Sequence, residues 1–113
     1  MKKDLVILFT RFGMGDGPAD LQQTLIKKFL TLWLDTGEIP AKMVFYTDGV
    51  KLACQGSPVL EELRAFESRG TEIVLCQTCL GRYGLEDQVA VGVVGGMGDI
   101  IEALQKSAKV ITI

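Results

Sequence analysis

Short apolar runs alternate along this chain with stretches of helical periodicity. Leu5 to Thr10 is a continuous apolar run, as expected of a strand that is covered on both faces. Similar short runs predict further strands over residues 42–47, 71–75, 89–94 and 110–113. Between the strands, apolar residues three or four apart predict helices that begin near Pro18, Ser57-Pro58 and Asp99, and a short helical turn over 77–83.

The first of these helices carries the strongest apolar pattern. Pro18 is expected at its first helical position with Asp16 or Gly17 as the cap, and Gly37 and Pro40 are expected to end it. We expect this helix to bury one apolar stripe, which consists of Leu21, Leu25, Phe29 and Leu32. Ile26, Leu30 and Trp33 widen this stripe.

The alternation of strands and helices predicts an α/β fold. A mainly parallel five-stranded sheet with helices on both faces and right-handed crossovers is expected, although the pattern does not determine the strand order. A chain of 113 residues fits one compact domain, so residues 1–113 are interpreted as a single domain.

Composition narrows the classes of function. The formal net charge is −2 and no basic stripe is present, which argues against nucleic acid as a partner. No apolar run approaches the ~20 residues that a membrane span needs. Three cysteines, an odd number, suit a reducing compartment better than a disulfide framework, so a cytoplasmic location is expected.

Cys76 is the strongest candidate for chemistry, because it ends the apolar run 71–75 where the chain turns toward a helix. In open α/β sheets, ligands gather at this edge, and backbone N–H groups at a helix start favour a thiolate. The chain has no histidine to act as a base. The alternative is that Cys76 is a small buried hydrophobe.

A second thiol, Cys79, follows three residues later and leaves three interpretations of the pair. A structural zinc site would need two more ligands, and only Cys54 remains, so no metal is expected. A thioredoxin-like dithiol is the second interpretation, although the flanking residues do not match that motif. The third is a single nucleophile at Cys76 with Cys79 as a helper, and with Lys51 and Arg82 as candidate positive charges nearby.

Glycine-rich turns supply the remaining candidates. Gly13 and Gly15 lie between a strand and a helix start, where backbone N–H groups can hold an anion, but a permissive turn is the more ordinary interpretation. Asp48-Gly49 is expected to be a turn as well. Glycine-rich and apolar loops around 49–56 and 92–98 are expected to leave exposed patches that a second subunit covers.

Three segments together resemble a known family: Phe45-Tyr46-Thr47-Asp48-Gly49-Val50-Lys51-Leu52, Gly56-Ser57-Pro58-Val59-Leu60 and Leu75-Cys76-Gln77-Thr78-Cys79-Leu80. The chain is similar over nearly its whole length to the DsrE/DsrF-like sulfur-relay proteins, in particular to the DsrE-like domain of YedF-type selenium-metabolism proteins. The resemblance implies a flavodoxin-like three-layer α/β/α sandwich that forms homo-oligomers, often trimers or hexamers. It also implies that the cysteine after the third strand, here Cys76, carries sulfur as a persulfide.

The favoured hypothesis is therefore a sulfur or selenium carrier of the sulfurtransferase-like kind, which passes sulfane sulfur between donor and acceptor proteins. Thiol exchange requires no cofactor. One alternative is a non-catalytic oligomeric assembly or ligand-binding module, whose pocket would involve Gly49, Val50 and Lys51. The other is a dithiol oxidoreductase that uses Cys76 and Cys79.

Overall fold

The computed structural model describes residues 2–113. Within them lie five strands and four α-helices, in the order β1 (Lys2–Phe9), α1 (Ala19–Asp35), β2 (Ile39–Phe45), α2 (Leu60–Ser68), β3 (Glu72–Cys76), α3 (Gln77–Tyr83), β4 (Val93–Gly95), α4 (Met97–Lys106) and β5 (Lys109–Thr112). Two 3₁₀ segments, Thr47–Ala53 and Glu86–Gln88, follow β2 and α3 respectively.

The strands form one parallel sheet in the order β4-β3-β2-β1-β5. The chain steps from β1 to β4 in one direction and then returns across the sheet, through α4, to place β5 beside β1. Because parallel crossovers are right-handed, a reversal of direction moves the connecting helix to the opposite face. This arrangement confirms the predicted α/β class and supplies the strand order that the sequence pattern left open.

Side-chain alternation along β1 shows the two covered faces. Leu5 borders a groove with Trp33 of α1, whereas the next residue, Val6, borders a groove with Ala103 of α4. Successive residues of a strand point to opposite faces, so α1 and α4 lie on opposite sides of the sheet. The molecule is therefore the three-layer, flavodoxin-like α/β/α sandwich that was expected.

The core contains a stacked aromatic pair at the carboxyl ends of β1 and β2. The rings of Phe9 and Phe45 stack with centroids 4.4 Å apart and planes 9° from parallel. Both side chains are completely buried, as is Leu75 on the neighbouring strand. Stacked aromatic pairs stabilise a core beyond their buried area, by about 1 kcal/mol. They fix the ends of β1 and β2 directly below the loops that follow.

Several predicted boundaries were wrong by a few residues. Pro18 is the N-cap of α1, not its first residue. Pro40 lies inside β2, opposite Lys3. Ser57 precedes α2 by three residues and accepts a hydrogen bond at 3.1 Å from the Val59 N–H.

The fourth strand is shorter than the expected 89–94 and begins later, since it covers only Val93–Gly95. Val89 instead forms an isolated antiparallel bridge with Cys54. The two are held by their neighbours, since the Ala90 N–H donates to the Ala53 carbonyl at 2.9 Å and the Gln55 N–H to the Gln88 carbonyl at 2.8 Å. This cross-link draws the apolar residues before β4 away from the sheet.

The predicted core face of α1 was wrong in part, because Phe29 and Trp33 do pack against the core but three of the predicted leucines do not. Leu21, Leu25 and Leu32 are 48%, 39% and 63% exposed, whereas Ile26 and Leu30 are completely buried. The helix carries apolar residues on two faces, and helical spacing alone does not say which of them meets the sheet. The exposed face is therefore a surface stripe of the described chain.

Candidate functional site

The candidate site lies at the carboxyl edge of the sheet, where β2 and β3 end side by side. Cys76 is the last residue of β3 and only 1% exposed. It caps α3 in sequence, but its side chain accepts no capping hydrogen bond from that helix. The expected stabilisation of a Cys76 thiolate by the helix N–H groups is thus not seen in this geometry.

Cys79 lies in the first turn of α3 and is only partly buried. Its sulfur accepts a hydrogen bond from the backbone N–H of Thr47, with 3.0 Å between nitrogen and sulfur. Burial raises the pKa of the Cys79 thiol above its ordinary value, the Thr47 N–H acts in the opposite direction, and a hydrogen bond with Cys76 raises it again. The two thiols of the pair are therefore neighbours, and the one with a fixed N–H donor is Cys79.

Thr47 owes this orientation to an uncommon backbone conformation. Its φ of 48° is the one positive value at a non-glycine residue among residues 2–113. A β-branched residue rarely adopts the left-handed region, and strain of this kind clusters at functional sites. The Thr47 hydroxyl lies 2.8 Å from the Thr10 carbonyl oxygen and so ties the residue to the end of β1.

Asp48, Lys51 and Tyr83 form a charged network beside the 3₁₀ segment that Thr47 begins, and Tyr83 lies within electrostatic reach of Cys79. The Lys51 ammonium lies 3.1 Å from the Asp48 carboxylate and 4.5 Å from the centroid of the Tyr83 ring. A hydrogen bond from the Tyr83 hydroxyl, and then one from Lys51, lower the pKa of Asp48. The same hydrogen bond to Asp48 raises the pKa of Tyr83, and Arg82 opposes this rise.

A pocket of about 370 Å³ opens beside this network. Its walls come from the loop after β1, the 3₁₀ segment and the turn after it, and α3 with the residues that follow: Phe12, Lys51, Cys54, Gln55, Gly56, Tyr83 and Leu85. Burial raises the pKa of the Cys54 thiol, so that Cys54 forms a wall of the pocket as a neutral thiol.

The structure brings together only some of the predicted ligand-binding residues. Lys51 lies in the network, and Arg82 is exposed on α3 within electrostatic reach of Tyr83. Val50 is completely buried and does not line this pocket. Gly49 packs so closely on β1 that an added Cβ would overlap the Phe9 carbonyl oxygen. A glycine at this position therefore allows the 3₁₀ segment to pack against β1.

The glycine turn after β1 folds onto α1 instead of forming an open anion cradle. A Cβ on Gly13, whose φ is 150°, would lie 2.5 Å from the Gln22 Cβ. The Gly15 carbonyl accepts a hydrogen bond from the Gln22 side-chain amide at 2.6 Å. Arg11 and Asp16 close the turn with an ion pair of 2.8 Å. The geometry therefore matches a permissive turn.

Within residues 2–113, no group of three or more cysteine, aspartate, glutamate or histidine side chains is arranged to hold a metal ion. The same part of the chain contains no helix that is long and apolar enough to cross a membrane.

Sequence inspection overlooked Thr47, Asp48 and Tyr83 as site residues. A signal for Tyr83 was present, because it follows Cys79 by four residues in a predicted helical turn and so shares its face. No sequence signal predicts the backbone angle of Thr47, which arises from the contact between two loops.

Fold and site together define a thiol-bearing α/β sandwich, and the comparison with family models agrees. Residues 6–113 match the DsrE/DsrF-like family, so the chain belongs to that family, as the resemblance had suggested. The match covers the third strand, both cysteines of the pair and the 3₁₀ segment. No functionally curated protein matches the chain.

Solved structures show the same fold. The YchN protein from E. coli superposes with a TM-score of 0.71 at 18% identity and covers 100% of both chains. MTH1491 from Methanobacterium thermoautotrophicum, of unknown function, gives 0.68 at 18% identity, with 96% of this chain and 97% of its own covered. BT1422 from Bacteroides thetaiotaomicron, also of unknown function, gives 0.68 at 21% identity, with 99% and 94% covered.

Proposed function

We propose that this protein is a sulfur or selenium carrier that accepts sulfane sulfur as a persulfide on the Cys76–Cys79 pair. The observation that carries the proposal is the Thr47 N–H held 3.0 Å from the Cys79 sulfur. A fixed N–H donor stabilises negative charge on sulfur, which both the thiolate and the persulfide anion bear. Membership of the DsrE/DsrF-like family supports a sulfur-relay role.

Of the two thiols, we infer that Cys79 meets the donor. The sequence hypothesis gave this role to Cys76, but Cys76 is 1% exposed while Cys79 is partly open to solvent. A donor persulfide must approach the attacking sulfur in line with the bond that breaks. Cys76 then lies behind Cys79 as the second thiol.

The transfer is a thiol exchange in which atoms and electrons balance. The Cys79 thiolate attacks the outer sulfur of a donor R–S–SH, a new S–S bond forms and the donor S–S bond breaks. The donor leaves as R–S⁻ with the bonding electron pair and takes up the proton that Cys79 released. An acceptor thiolate then repeats the attack on the outer sulfur of the Cys79 persulfide. No net oxidation occurs, and no cofactor enters the scheme.

The contact between the two thiols supports a second candidate, a dithiol oxidoreductase. The Cys76 and Cys79 side chains share a hydrogen bond. A Cys76 thiolate that attacked the inner sulfur of a Cys79 persulfide would expel hydrosulfide and leave a disulfide. The carrier is preferred because only Cys79 of the pair is open to a donor or an acceptor, whereas Cys76 is 1% exposed. A ligand-binding module without chemistry is the remaining alternative, and it would use the pocket beside the network.

We further infer a cytoplasmic homo-oligomer, a trimer or hexamer, that exchanges sulfur with donor and acceptor proteins. Exposed Val93, Val94 and Met97 support self-association, since large apolar side chains cluster there. The expected patch at 49–56 was wrong in part, because residues 49, 50 and 52–54 are buried.

Intact mass after exposure to inorganic polysulfide tests the carrier. Wild type should gain about 32 Da, one sulfur atom transferred to a thiol. Cys79→Ser should lose the gain, Cys76→Ser should keep it, and Cys54→Ser serves as the matched control. Loss in Cys76→Ser alone would return the role to Cys76. A wild type that releases sulfide and ends about 2 Da lighter, as a Cys76–Cys79 disulfide, while Cys76→Ser keeps the added sulfur, would favour the dithiol oxidoreductase. No gain in wild type would refute the carrier.

A further inference from the structure

The pocket beside the charged network has no assigned occupant. We propose that it binds a low-molecular-mass thiol persulfide that bears a carboxylate, so that this chain takes sulfur from a small-molecule donor directly. The proposal rests on the proposed carrier function and adds the class of donor to it. The pocket volume of about 370 Å³ lies within the range of small-molecule sites.

The pocket lies close in sequence and along α3 to Cys79, whose sulfur is proposed to react. Tyr83 lines the pocket and follows Cys79 by one helical turn on α3. Residues four apart on a helix have their Cβ atoms about 5–6 Å apart on the same face. Cys79 itself does not line the pocket, so the proposal places the ligand against the Tyr83 ring with its terminal sulfur extended one helical turn back toward the Cys79 sulfur.

The walls of the pocket combine apolar side chains with one positive charge. Phe12, Leu85 and the Tyr83 ring supply apolar surface for a short carbon skeleton. The Lys51 ammonium supplies positive charge, and only one of its three donors is needed for the ion pair with Asp48. A ligand that combines an apolar body with one carboxylate matches these walls.

Two hydrogen-bond donors in the pocket wall have no protein partner among the described residues. Within residues 2–113, neither the side-chain amide of Gln55 nor the backbone N–H of Gly56 donates to another group of the chain. Both residues line the pocket, and they follow directly after Cys54 in the segment that also contributes Lys51. Two such donors next to an ammonium form a set that a carboxylate, with its two acceptor oxygens, satisfies.

The groups with a displaced pKa lie in or next to this pocket. Those with a displaced pKa among the described residues are Asp48, Cys54, Cys79 and Tyr83. Two of them line the pocket, and the other two belong to the adjoining network. Perturbed groups beside a well-formed pocket are typical of binding sites, which supports the geometric argument.

In the step that this site would serve, the donor R–S–SH lies with its carboxylate toward Lys51 and its outer sulfur toward Cys79. The exchange described above then leaves R–SH in the pocket, with one S–S bond formed and one broken. The thiol product keeps the carboxylate and the carbon skeleton, so it occupies the same pocket and is a stable probe of it.

An NMR titration of the reduced protein tests binding without any chemistry. With 3-mercaptopropionate, the amide signals of Gln55 and Gly56 should shift and saturate, and 2-mercaptoethanol, which has no carboxylate, should bind at least tenfold more weakly. Gln55→Leu should weaken binding of 3-mercaptopropionate about tenfold, because it removes a hydrogen bond to a charged group. Gln105→Leu, the same change at an exposed site on α4, should leave binding unchanged.

The outcomes separate this proposal from the carrier function. If polysulfide loads the protein but 3-mercaptopropionate gives no saturable shift, the pocket proposal is wrong and the carrier stands. Equal binding of the two thiols would also overturn it, because the carboxylate would then have no role. If 3-mercaptopropionate binds but no donor adds 32 Da, the pocket is confirmed and the protein is a binding module.

Discussion

At the scale of single residues, the site depends on Thr47, whose backbone brings an N–H group to the Cys79 sulfur. The two cysteines and Lys51 could be proposed as candidate site residues from the sequence, because each lies at or just after the carboxyl end of a strand. Thr47 could not, since its φ of 48° results from tertiary contacts with Thr10 and α3. Which thiol faces the solvent was equally hidden, because it depends on the depth at which α3 packs.

Thr47→Gly tests this role. Glycine removes the strain of the left-handed conformation but also the hydroxyl bond to Thr10, and each contributes about 1 kcal/mol, so stability should change little. The N–H would no longer be held toward sulfur, and alkylation of Cys79 by iodoacetamide at pH 8 should slow several-fold. Thr47→Ser, which keeps the hydroxyl, should restore the rate. An unchanged rate in Thr47→Gly would show that the N–H does not tune Cys79.

The pH dependence of Cys79 gives a second residue-scale prediction. Burial places the pKa of this thiol above its ordinary value of 9.0. Alkylation proceeds through the thiolate, whose fraction rises tenfold per pH unit below the pKa. The rate, followed by peptide mass, should therefore rise about tenfold from pH 7 to pH 8 and continue to rise beyond pH 9. A plateau below pH 8.5 would contradict the assigned direction.

At the scale of elements, the 3₁₀ segment Thr47–Ala53 connects the sheet to the chemistry. The sequence predicted only a turn at Asp48-Gly49, because a single Asp-Gly pair is a strong local turn signal. The structure instead continues the turn into a buried segment that carries both Thr47 and Lys51. Its close approach to β1 depends on Gly49, whose N–H donates to the Tyr46 carbonyl at 3.0 Å.

Gly49→Ala should therefore displace this element. The added Cβ would overlap the backbone of Phe9, where nothing flexible can give way, and the free energy of unfolding should fall by about 1–3 kcal/mol. Gly98→Ala is a matched control in α4, where a Cβ meets nothing within 4 Å, and it should stabilise by about 0.5–1 kcal/mol. Urea unfolding measures both. Similar stability for the two variants would mean that the 3₁₀ segment can move away from β1 at no cost.

At the scale of the whole molecule, the fold class followed from alternating apolar runs, but the strand order and the free surfaces did not. Periodicity showed that α1 is amphipathic without showing that Leu21, Leu25 and Leu32 face outward. The short edge strand β4 likewise emerged only in three dimensions, because the bridge between Cys54 and Val89 draws the first part of the predicted strand away from the sheet. These features determine which apolar surfaces are free to contact a second copy of the chain.

Two exposed apolar surfaces compete to be the subunit interface, the α1 stripe and the patch formed by Val93, Val94, Met97 and Ile101. We predict that the β4–α4 patch is used, because it combines large apolar side chains with the unpaired backbone of an edge strand, which proteins generally cover. Light scattering at micromolar concentration should give a multiple of 12.3 kDa for wild type. The double variant Val94→Lys/Ile101→Lys should dissociate to monomers, because two charges cannot be buried without partners. Leu32→Lys, a similar change on the α1 stripe, should leave the assembly intact. Dissociation by Leu32→Lys alone would assign the interface to α1, and a monomeric wild type would refute the homo-oligomer.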